Sequence, residues 1–296
     1  MFAAQFFRGC HKMNTTFART NSRRRFVANI LSLLGCAMLT VNVLGQGESG
    51  SEKDGNASKP LHLLFVGNSY TYVNMLPEML RQMSLAAKEG RPIEYRMIAP
   101  GGYSFEKHWK DGVVAKAIGE GGWDYVVFQE QSLGPVSDPT NMHRYARLLN
   151  EEVRKVGAKT AFYVTWARKT VPGQQEQITG AYSAIAKELG ALSCPVGPAW
   201  AEVLKKRPDL ELYQADGSHP SPAGTYVGAC VFYSVLCFKN PVGLPGRLVG
   251  KNDRGEVKTL VDLNESEASL FQHVAIATVK EWNDGATPPE TVAAPK

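Results

Sequence analysis

The sequence predicts an α/β fold: a three-layer α/β/α sandwich with helices on both faces of a central, mainly parallel sheet of five strands. Short apolar runs recur along the chain and predict buried strands. They are separated by segments in which apolar residues have helical spacing. Strands that alternate with helices in this way are typical of a parallel sheet covered on both faces. The predicted strands span residues 61–66, 92–98, 125–128, 160–165 and 194–196.

The predicted helices complete one domain over residues 60–283. They span residues 76–88, 103–118, 141–156, 174–189, 222–238 and 265–282. In the third of these, Leu148, Leu149 and Val153 fall on one face. The proline-containing tail, 284–296, is predicted to be disordered.

The first 46 residues carry the basic charge of the chain. They contain no Asp or Glu, and their cations are Arg8, Lys12, Arg19, Arg23, Arg24 and Arg25. Leaving out these six charges takes the formal net charge of the chain from +5 to −1. The predicted domain is therefore not basic, which argues against nucleic acid as a partner.

The same leader has the parts of an export signal. Three arginines precede an apolar run at 26–44, and a small, polar segment at 47–59 follows as a flexible linker. We expect residues 1–46 to act as a signal peptide and the protein to be periplasmic or extracellular. Two alternatives would add a membrane as partner. The apolar run approaches the ~20 residues of a membrane anchor, and residues 33–36 resemble a lipoprotein cleavage site ending at Cys36.

Cysteine usage predicts neither disulfides nor zinc. Only Cys194, Cys230 and Cys237 lie beyond the leader, an odd number without a CxxC motif. His, Asp and Glu show no metal-ligand spacing, and no phosphate-binding loop occurs. We therefore predict no metal and no cofactor.

Four segments follow the ends of predicted strands, where parallel sheets collect their reactive groups. The segments are 67–69, 100–102, 129–131 and 166–168, and we expect them to line one crevice. Trp166 and Arg168, in the last segment, are candidates to bind a sugar ring and a polar or anionic substituent. Surface packing of Trp166 and solvation of Arg168 are the alternatives.

Ser69 is the candidate nucleophile. It follows Gly67 and Asn68 on a turn after the first strand and precedes a helix, whose N-terminal N–H groups favour negative charge. The alternative is that Ser69 only caps this helix. No GxSxG motif surrounds it, which argues against the nucleophile elbow of the α/β-hydrolases.

Asp216 and His219 are the candidate partners of Ser69. Their three-residue spacing at a turn lets the carboxylate reach the histidine Nδ1–H, which fixes the tautomer and leaves the other nitrogen to take the serine proton. The alternative is that Asp216 caps the following helix. Of the other histidines in the predicted domain, His62 and His273 are expected to be structural, and His108 and His143 follow no strand end and are not expected to be the base.

A serine after the first strand and an Asp-x-x-His motif near the C-terminus resemble the SGNH (GDSL-type) hydrolase superfamily over residues 61–238. The resemblance implies a flavodoxin-like sheet and a triad of Ser69, His219 and Asp216. It also implies an oxyanion hole formed by the N–H of Ser69 and that of a glycine after the second strand. Gly102 is preferred over its neighbour Gly101 for that role.

The third block of the family, Gly-x-Asn-Asp, is absent. The third strand leads instead into Gln129, Glu130 and Gln131. A glutamine amide can donate the same hydrogen bond as the asparagine, and Gln129 resembles the glutamine that carbohydrate acetylesterases of this superfamily use. Gln131 is the alternative donor, and Glu130 is expected to hold the loop.

The resemblance implies an exported serine esterase acting on a small acyl ester, such as acetyl, of a carbohydrate. Two alternatives stay open: a non-catalytic carbohydrate-binding protein that retains the fold, and a lipid esterase or thioesterase.

Overall fold

The computed structural model describes residues 59–87, 89–252 and 254–285. Its strands are β1 Leu61–Val66, β2 Ile93–Ile98, β3 Tyr125–Phe128, β4 Lys159–Tyr163, β5 Leu192–Cys194, β6 Arg247–Lys251 and β7 Val257–Asp262. Its helices are α1 Ser69–Tyr72, α2 Leu76–Ala86, α3 Phe105–Asp111, α4 Val113–Gly119, α5 Gly134–Ser137, α6 Pro139–Lys155, α7 Gln175–Leu189, α8 Val196–Lys206, α9 Pro222–Leu236 and α10 Glu265–Gly285.

The central sheet has five strands in the order β2-β1-β3-β4-β5, and every neighbouring pair is parallel. This confirms the predicted fold class and the number of strands, although β5 lies two residues before the predicted 194–196, because Val196 already begins α8. Strand order reverses at β1, because β2 lies on one side of it and β3 on the other. Such a reversal opens a crevice at the carboxyl ends of the strands, and Ser69 is the third residue after β1.

Helices cover both faces of the sheet, and alternate residues of β1 serve the two sides. Leu63 and Phe65 point into one apolar core, and Leu64 and Val66 into the other. The first core includes side chains from α2, α8, α9 and α10, and the second from α3, α4, α6 and α7. These two cores join the three layers of the sandwich.

The structure departs from the predicted elements in several places. The helix predicted over 103–118 is two helices, α3 and α4, because Gly112 adopts a left-handed conformation with φ of 71° and ends the first. Helix α8 was not predicted. Strands β6 and β7, also not predicted, form an antiparallel hairpin whose Gly250 lies against the side chain of Glu78 in α2.

The predicted leader 1–46, linker 47–59 and tail 284–296 lie wholly or largely outside the described residues and stay predictions. Within the described residues, no helix combines the length and apolar character needed to cross a membrane. The three cysteines named above carry free thiols, and burial raises the pKa of Cys194 and Cys230.

Candidate active site

The turn that carries Ser69 depends on its two preceding residues. Asn68 caps α1, since its side-chain oxygen accepts a hydrogen bond of 3.1 Å from the Tyr70 N–H. A Cβ on Gly67 would lie 2.3 Å from Thr71 Oγ1, closer than any side chain allows. The Gly-Asn-Ser sequence therefore fixes the position of the serine backbone.

Ser69, His219 and Asp216 form one hydrogen-bonded chain. His219 Nε2 lies 2.8 Å from Ser69 Oγ, and His219 Nδ1 is hydrogen-bonded to Asp216 Oδ2. Because a carboxylate can only accept, Nδ1 carries the proton and Nε2 is free to accept the serine hydroxyl. The three residues predicted from motif spacing are thus brought together in the order that acyl transfer requires.

The Asp216 carboxylate is held in its charged form. Its hydrogen bond with the His219 side chain lowers its pKa to about 2, with further help from the backbone N–H groups of Ser218 and His219. Both N–H groups donate to Asp216 Oδ1 across 2.9 Å. The loop is closed at its base by the bond from the Gln214 N–H to the His219 carbonyl, at 2.8 Å.

A stack of aromatic rings lies beneath this loop. Trp166 is 2% exposed and lies flat between Tyr70, at a centroid distance of 4.6 Å, and Trp200, at 4.0 Å. The Tyr70 ring meets the His219 imidazole edge-on at 5.7 Å, and its hydroxyl lies 2.7 Å from Ser218 Oγ. The substrate-binding role predicted for Trp166 does not fit this burial, because both faces of its indole are covered by protein.

Two backbone N–H groups are available beside the Ser69 hydroxyl. Among the described residues, neither the Ser69 N–H nor the Gly102 N–H has a hydrogen-bond partner. Gly102 is exposed with φ of 69° and lines the same cavity as Ser69. Its placement agrees with the predicted contribution to an oxyanion hole.

Gln129 does not present its side-chain amide to the cavity, as its predicted role in the oxyanion hole would require. Its side chain is fully buried, and its amide oxygen accepts hydrogen bonds from the Asn68 N–H and the Thr71 hydroxyl, both at 2.9 Å. Its amide nitrogen donates to the Glu130 carbonyl. Gln129 therefore holds the Ser69 turn from below, and its position does not support the predicted oxyanion contact.

Gln131, the alternative donor, lines the cavity beside Ser69. Its Oε1 accepts a hydrogen bond of 2.8 Å from the Leu133 N–H, which identifies the other end of the amide as the donor. One N–H of that amide points at Ser132 Oγ across 3.4 Å. The geometry favours Gln131 over Gln129 as a side-chain donor in the cavity.

Glu130 ties two parts of the cavity wall together, as expected. Its carboxylate accepts hydrogen bonds from the Phe105 N–H at 2.9 Å and the Gln131 N–H at 2.6 Å. The side chain is 2% exposed, and this burial raises the pKa of Glu130 to about 7. The start of α3 is thereby joined to the segment after β3.

The other histidines lie apart from Ser69 and Asp216. His108 Nε2–H donates to the Gly67 carbonyl at 2.8 Å, and burial lowers the pKa of His108. His143 donates to the Ala181 carbonyl, and His273 bonds within α10. His62 lies on β1, 3.6 Å from Glu94. Within the described residues, no group of three or more His, Cys, Asp or Glu side chains is arranged to hold a metal ion.

Ser69 and His219 face a cavity of about 150 Å³. Its wall is formed by Asn68, Ser69, Tyr70, Gly102, Gln131, Ser132, Arg168, Ser218 and His219. Three of the four predicted strand-end segments thus contribute through Ser69, Gly102 and Gln131, and the fourth contributes through Arg168. A second cavity, of about 370 Å³, adjoins the first and shares Gly102 and Gln131 with it.

Known structures share this architecture. A protein from Slackia heliotrinireducens, provisionally described as an SGNH hydrolase, has a TM-score of 0.52 and 29% sequence identity over 60% of this chain and 100% of its own. A DUF4886 family protein from Bacteroides uniformis has a TM-score of 0.60 and 19% identity over 77% of this chain and 98% of its own. An acetylxylan esterase from Geobacillus stearothermophilus is more distant, with a TM-score of 0.49 and 17% identity over 62% and 97% of the two chains.

The sequence itself matches no family model and no curated protein. The similarity lies in the arrangement of the sheet and its helices, together with the motifs at the strand ends. The chain has an SGNH-like hydrolase fold, which confirms the family resemblance of its Gly-Asn-Ser and Asp-x-x-His motifs.

Proposed function

We propose that the protein is an exported serine esterase that removes a small acyl group, such as acetyl, from a polar alcohol of the carbohydrate class. The observation that carries this proposal is the hydrogen-bonded chain from Ser69 through His219 to Asp216, facing a cavity. Export rests on the sequence of the leader, and carbohydrate on the family resemblance.

In the first half of the reaction, His219 Nε2 takes the hydroxyl proton as Ser69 Oγ attacks the ester carbonyl. A serine hydroxyl needs such a base, because its own pKa is far above neutral. His219 then gives the proton to the leaving alcohol as the carbon–oxygen bond breaks. Asp216 keeps the Nδ1 proton in place and stabilises the imidazolium that forms.

In the second half, the acyl group is bound to Ser69 Oγ and water replaces the alcohol. His219 removes a proton from the water and returns it to Ser69 Oγ as the acid leaves. In both halves the negative oxygen would be stabilised by the N–H groups of Ser69 and Gly102, with the Gln131 amide as the side-chain donor. Each such donor is typically worth about 3–4 kcal/mol in the transition state.

The cavity supports a small acyl group. Its volume is about 150 Å³. Its wall is mainly polar, so a long alkyl chain would find little apolar surface to cover it. This favours a short acyl chain over the alternatives of a lipid esterase or a long-chain thioesterase.

The alternative of a non-catalytic carbohydrate-binding protein rests on the absence of the Gly-x-Asn-Asp block. Gln131 lies in the cavity beside Ser69 and offers an amide donor in place of that asparagine. A bare binding site would also not require the Ser69–His219 hydrogen bond. The arrangement of the site is therefore better explained by catalysis.

The proposal is tested with p-nitrophenyl esters of increasing chain length. We expect hydrolysis of the acetate, a steep fall toward the octanoate, and a loss of at least about 10³-fold in Ser69→Ala. Ser269→Ala is the matched control, because Ser269 also approaches a histidine, His273 at 3.4 Å, on the exposed surface of α10. Equal rates for wild type and Ser69→Ala would show that Ser69 is not the nucleophile.

A further inference from the structure

Ser132 and Arg168 form a pair in the wall of the active-site cavity. Both residues line the cavity that contains Ser69 and His219. Arg168 Nη2 donates a hydrogen bond of 3.1 Å to Ser132 Oγ. We refer to these two residues as the Ser132–Arg168 pair.

The charge of Arg168 is not compensated by the protein. Among the described residues, no Asp or Glu forms an ion pair with it, and its buried Nε–H has no hydrogen-bond partner. Surface arginines of the same chain behave differently: Arg147 binds Glu188 with two hydrogen bonds, and Arg207 binds Asp209 in the same way. A half-buried cation without a counter-ion is unfavourable. An anionic ligand that binds beside Arg168 would supply the missing counter-ion and would therefore be stabilised there.

The hydrogen-bonding groups of the pair point to the same ligand chemistry. Ser132 Oγ already accepts from Arg168 and from the Gln131 amide, so its own proton remains to be donated. The guanidinium can only donate. A group that only accepts hydrogen bonds and carries a negative charge, such as a carboxylate, satisfies both residues.

The backbone fixes the pair relative to the catalytic histidine. The Lys169 N–H donates to the Gly217 carbonyl at 2.9 Å, which joins the Arg168 loop to the loop between Asp216 and His219. The Val171 N–H closes a turn on the Arg168 carbonyl, also at 2.9 Å. A ligand group held by the pair would therefore have a defined distance from the reacting ester.

We propose that the Ser132–Arg168 pair binds a carboxylate in the alcohol part of the substrate, an inference that rests on the proposed function. A small acyl group such as acetyl carries no free carboxylate, so the carboxylate that binds the pair must belong to the alcohol part of the ester. The substrate class is therefore small-acyl esters of acidic alcohols, namely hydroxy acids and acidic sugars, rather than esters of neutral ones.

The test compares 3-acetoxybenzoate with its methyl ester, which differ in one negative charge. We expect wild type to prefer the charged ester by about 10- to 100-fold in kcat/KM, the range of a hydrogen bond to a charged group. Arg168→Met should abolish this preference, so that the charged and neutral esters have similar kcat/KM values. Arg168→Lys should retain part of it. Arg154→Met, at an exposed position in the last turn of α6, controls for the lost charge.

A binding measurement separates this inference from the proposed function. Titration calorimetry of Ser69→Ala with 3-hydroxybenzoate should show binding that disappears when Arg168→Met is added, and methyl 3-hydroxybenzoate should bind weakly to both. No preference for the charged ester, equal losses for both esters in Arg168→Met, or binding unaffected by Arg168→Met would each overturn the assignment. Failure of the proposed function would look different, since Ser69→Ala would then hydrolyse either ester as fast as wild type.

Discussion

The Trp166 indole N–H donates a hydrogen bond of 3.0 Å to the carbonyl oxygen of Ser218. This bond joins the segment after β4 to the loop that carries Asp216 and His219. The same kind of bond, also at 3.0 Å, joins Trp123 to the Ala117 carbonyl outside the triad.

The pair of tryptophans gives a matched prediction. Trp166→Phe keeps an aromatic ring in the stack and removes the N–H donor, and we expect kcat to fall by about 2- to 10-fold with KM nearly unchanged, since a hydrogen bond is worth ~1 kcal/mol. Trp123→Phe should cost similar stability in urea unfolding and leave kcat unchanged. A similar loss of kcat in both variants would mean that stability alone, and not the position of His219, is affected.

Asp216 should be required at every pH at which the protein is assayed. The hydrogen bond with His219 lowers the pKa of Asp216 from 3.8 to about 2, so its contribution is present above pH 3.8 and is lost only as pH falls through about 2. Asp216→Asn should lower kcat by about 10⁴-fold, the loss seen when a triad carboxylate becomes an amide. Between pH 4 and 9 it should not merely shift the pH–rate profile.

Asp209 provides the control for this variant. Its pKa is also lowered to about 2, by Arg207, and it is exposed. Asp209→Asn should keep full activity across the same range. If Asp216→Asn regained wild-type rates at high pH, the carboxylate would not be fixing the histidine tautomer.

Glu130 should make the protein less stable as pH rises. Burial raises the pKa of Glu130 from 4.5 to about 7, so the stabilising effect of the neutral form is complete below pH 4.5 and is lost as pH rises through 7. Between pH 5 and 8 the free energy of unfolding should fall by about 2–3 kcal/mol more in wild type than in Glu130→Gln. Urea unfolding measures this slope, and Glu176→Gln, at an exposed residue of α7, should keep the wild-type slope.

The two glutamines after β3 should differ in the property that they affect. Gln131→Ala should lower kcat by about 10²-fold, the typical effect of a lost oxyanion donor, with little change in stability. Gln129→Ala leaves the Asn68 N–H without its acceptor in a buried site, so it should lower the free energy of unfolding by about 1–3 kcal/mol. Steady-state kinetics and thermal unfolding of both variants decide the assignment. A fully stable Gln129→Ala with a low kcat would restore Gln129 as the donor.

The sheet and the grouping of Ser69, His219 and Asp216 could be predicted because local signals specify them. The central strand β3 is a continuous apolar run and β1 is nearly one, and Asp216 and His219 lie three residues apart on one turn. Ser69 could be predicted as a site residue from its position just after the first strand. Long-range geometry is not needed for any of these inferences.

Which of the other side chains face the cavity depends on contacts between distant segments, and the sequence of one segment does not reveal these contacts. Trp166 and Arg168 are two residues apart after one strand, yet the first is covered by Tyr70 and Trp200 while the second faces the cavity. Gln129 and Gln131 present the same difficulty, because only the position of the Asn68 turn shows which amide is already occupied. The β6–β7 hairpin was not predicted because its two strands bury few apolar side chains.

The indoles of Trp166 and Trp200 are nearly parallel, at an interplanar angle of 7° and a centroid distance of 4.0 Å. Two indoles this close couple their electronic transitions, so the pair should give an exciton band in circular dichroism and a distinctive emission. The Trp166 N–H donates to Ser218, so this signal should respond to changes in the loop that carries His219. We expect ligand entry into the cavity to change the exciton band, which circular dichroism would record without any added label.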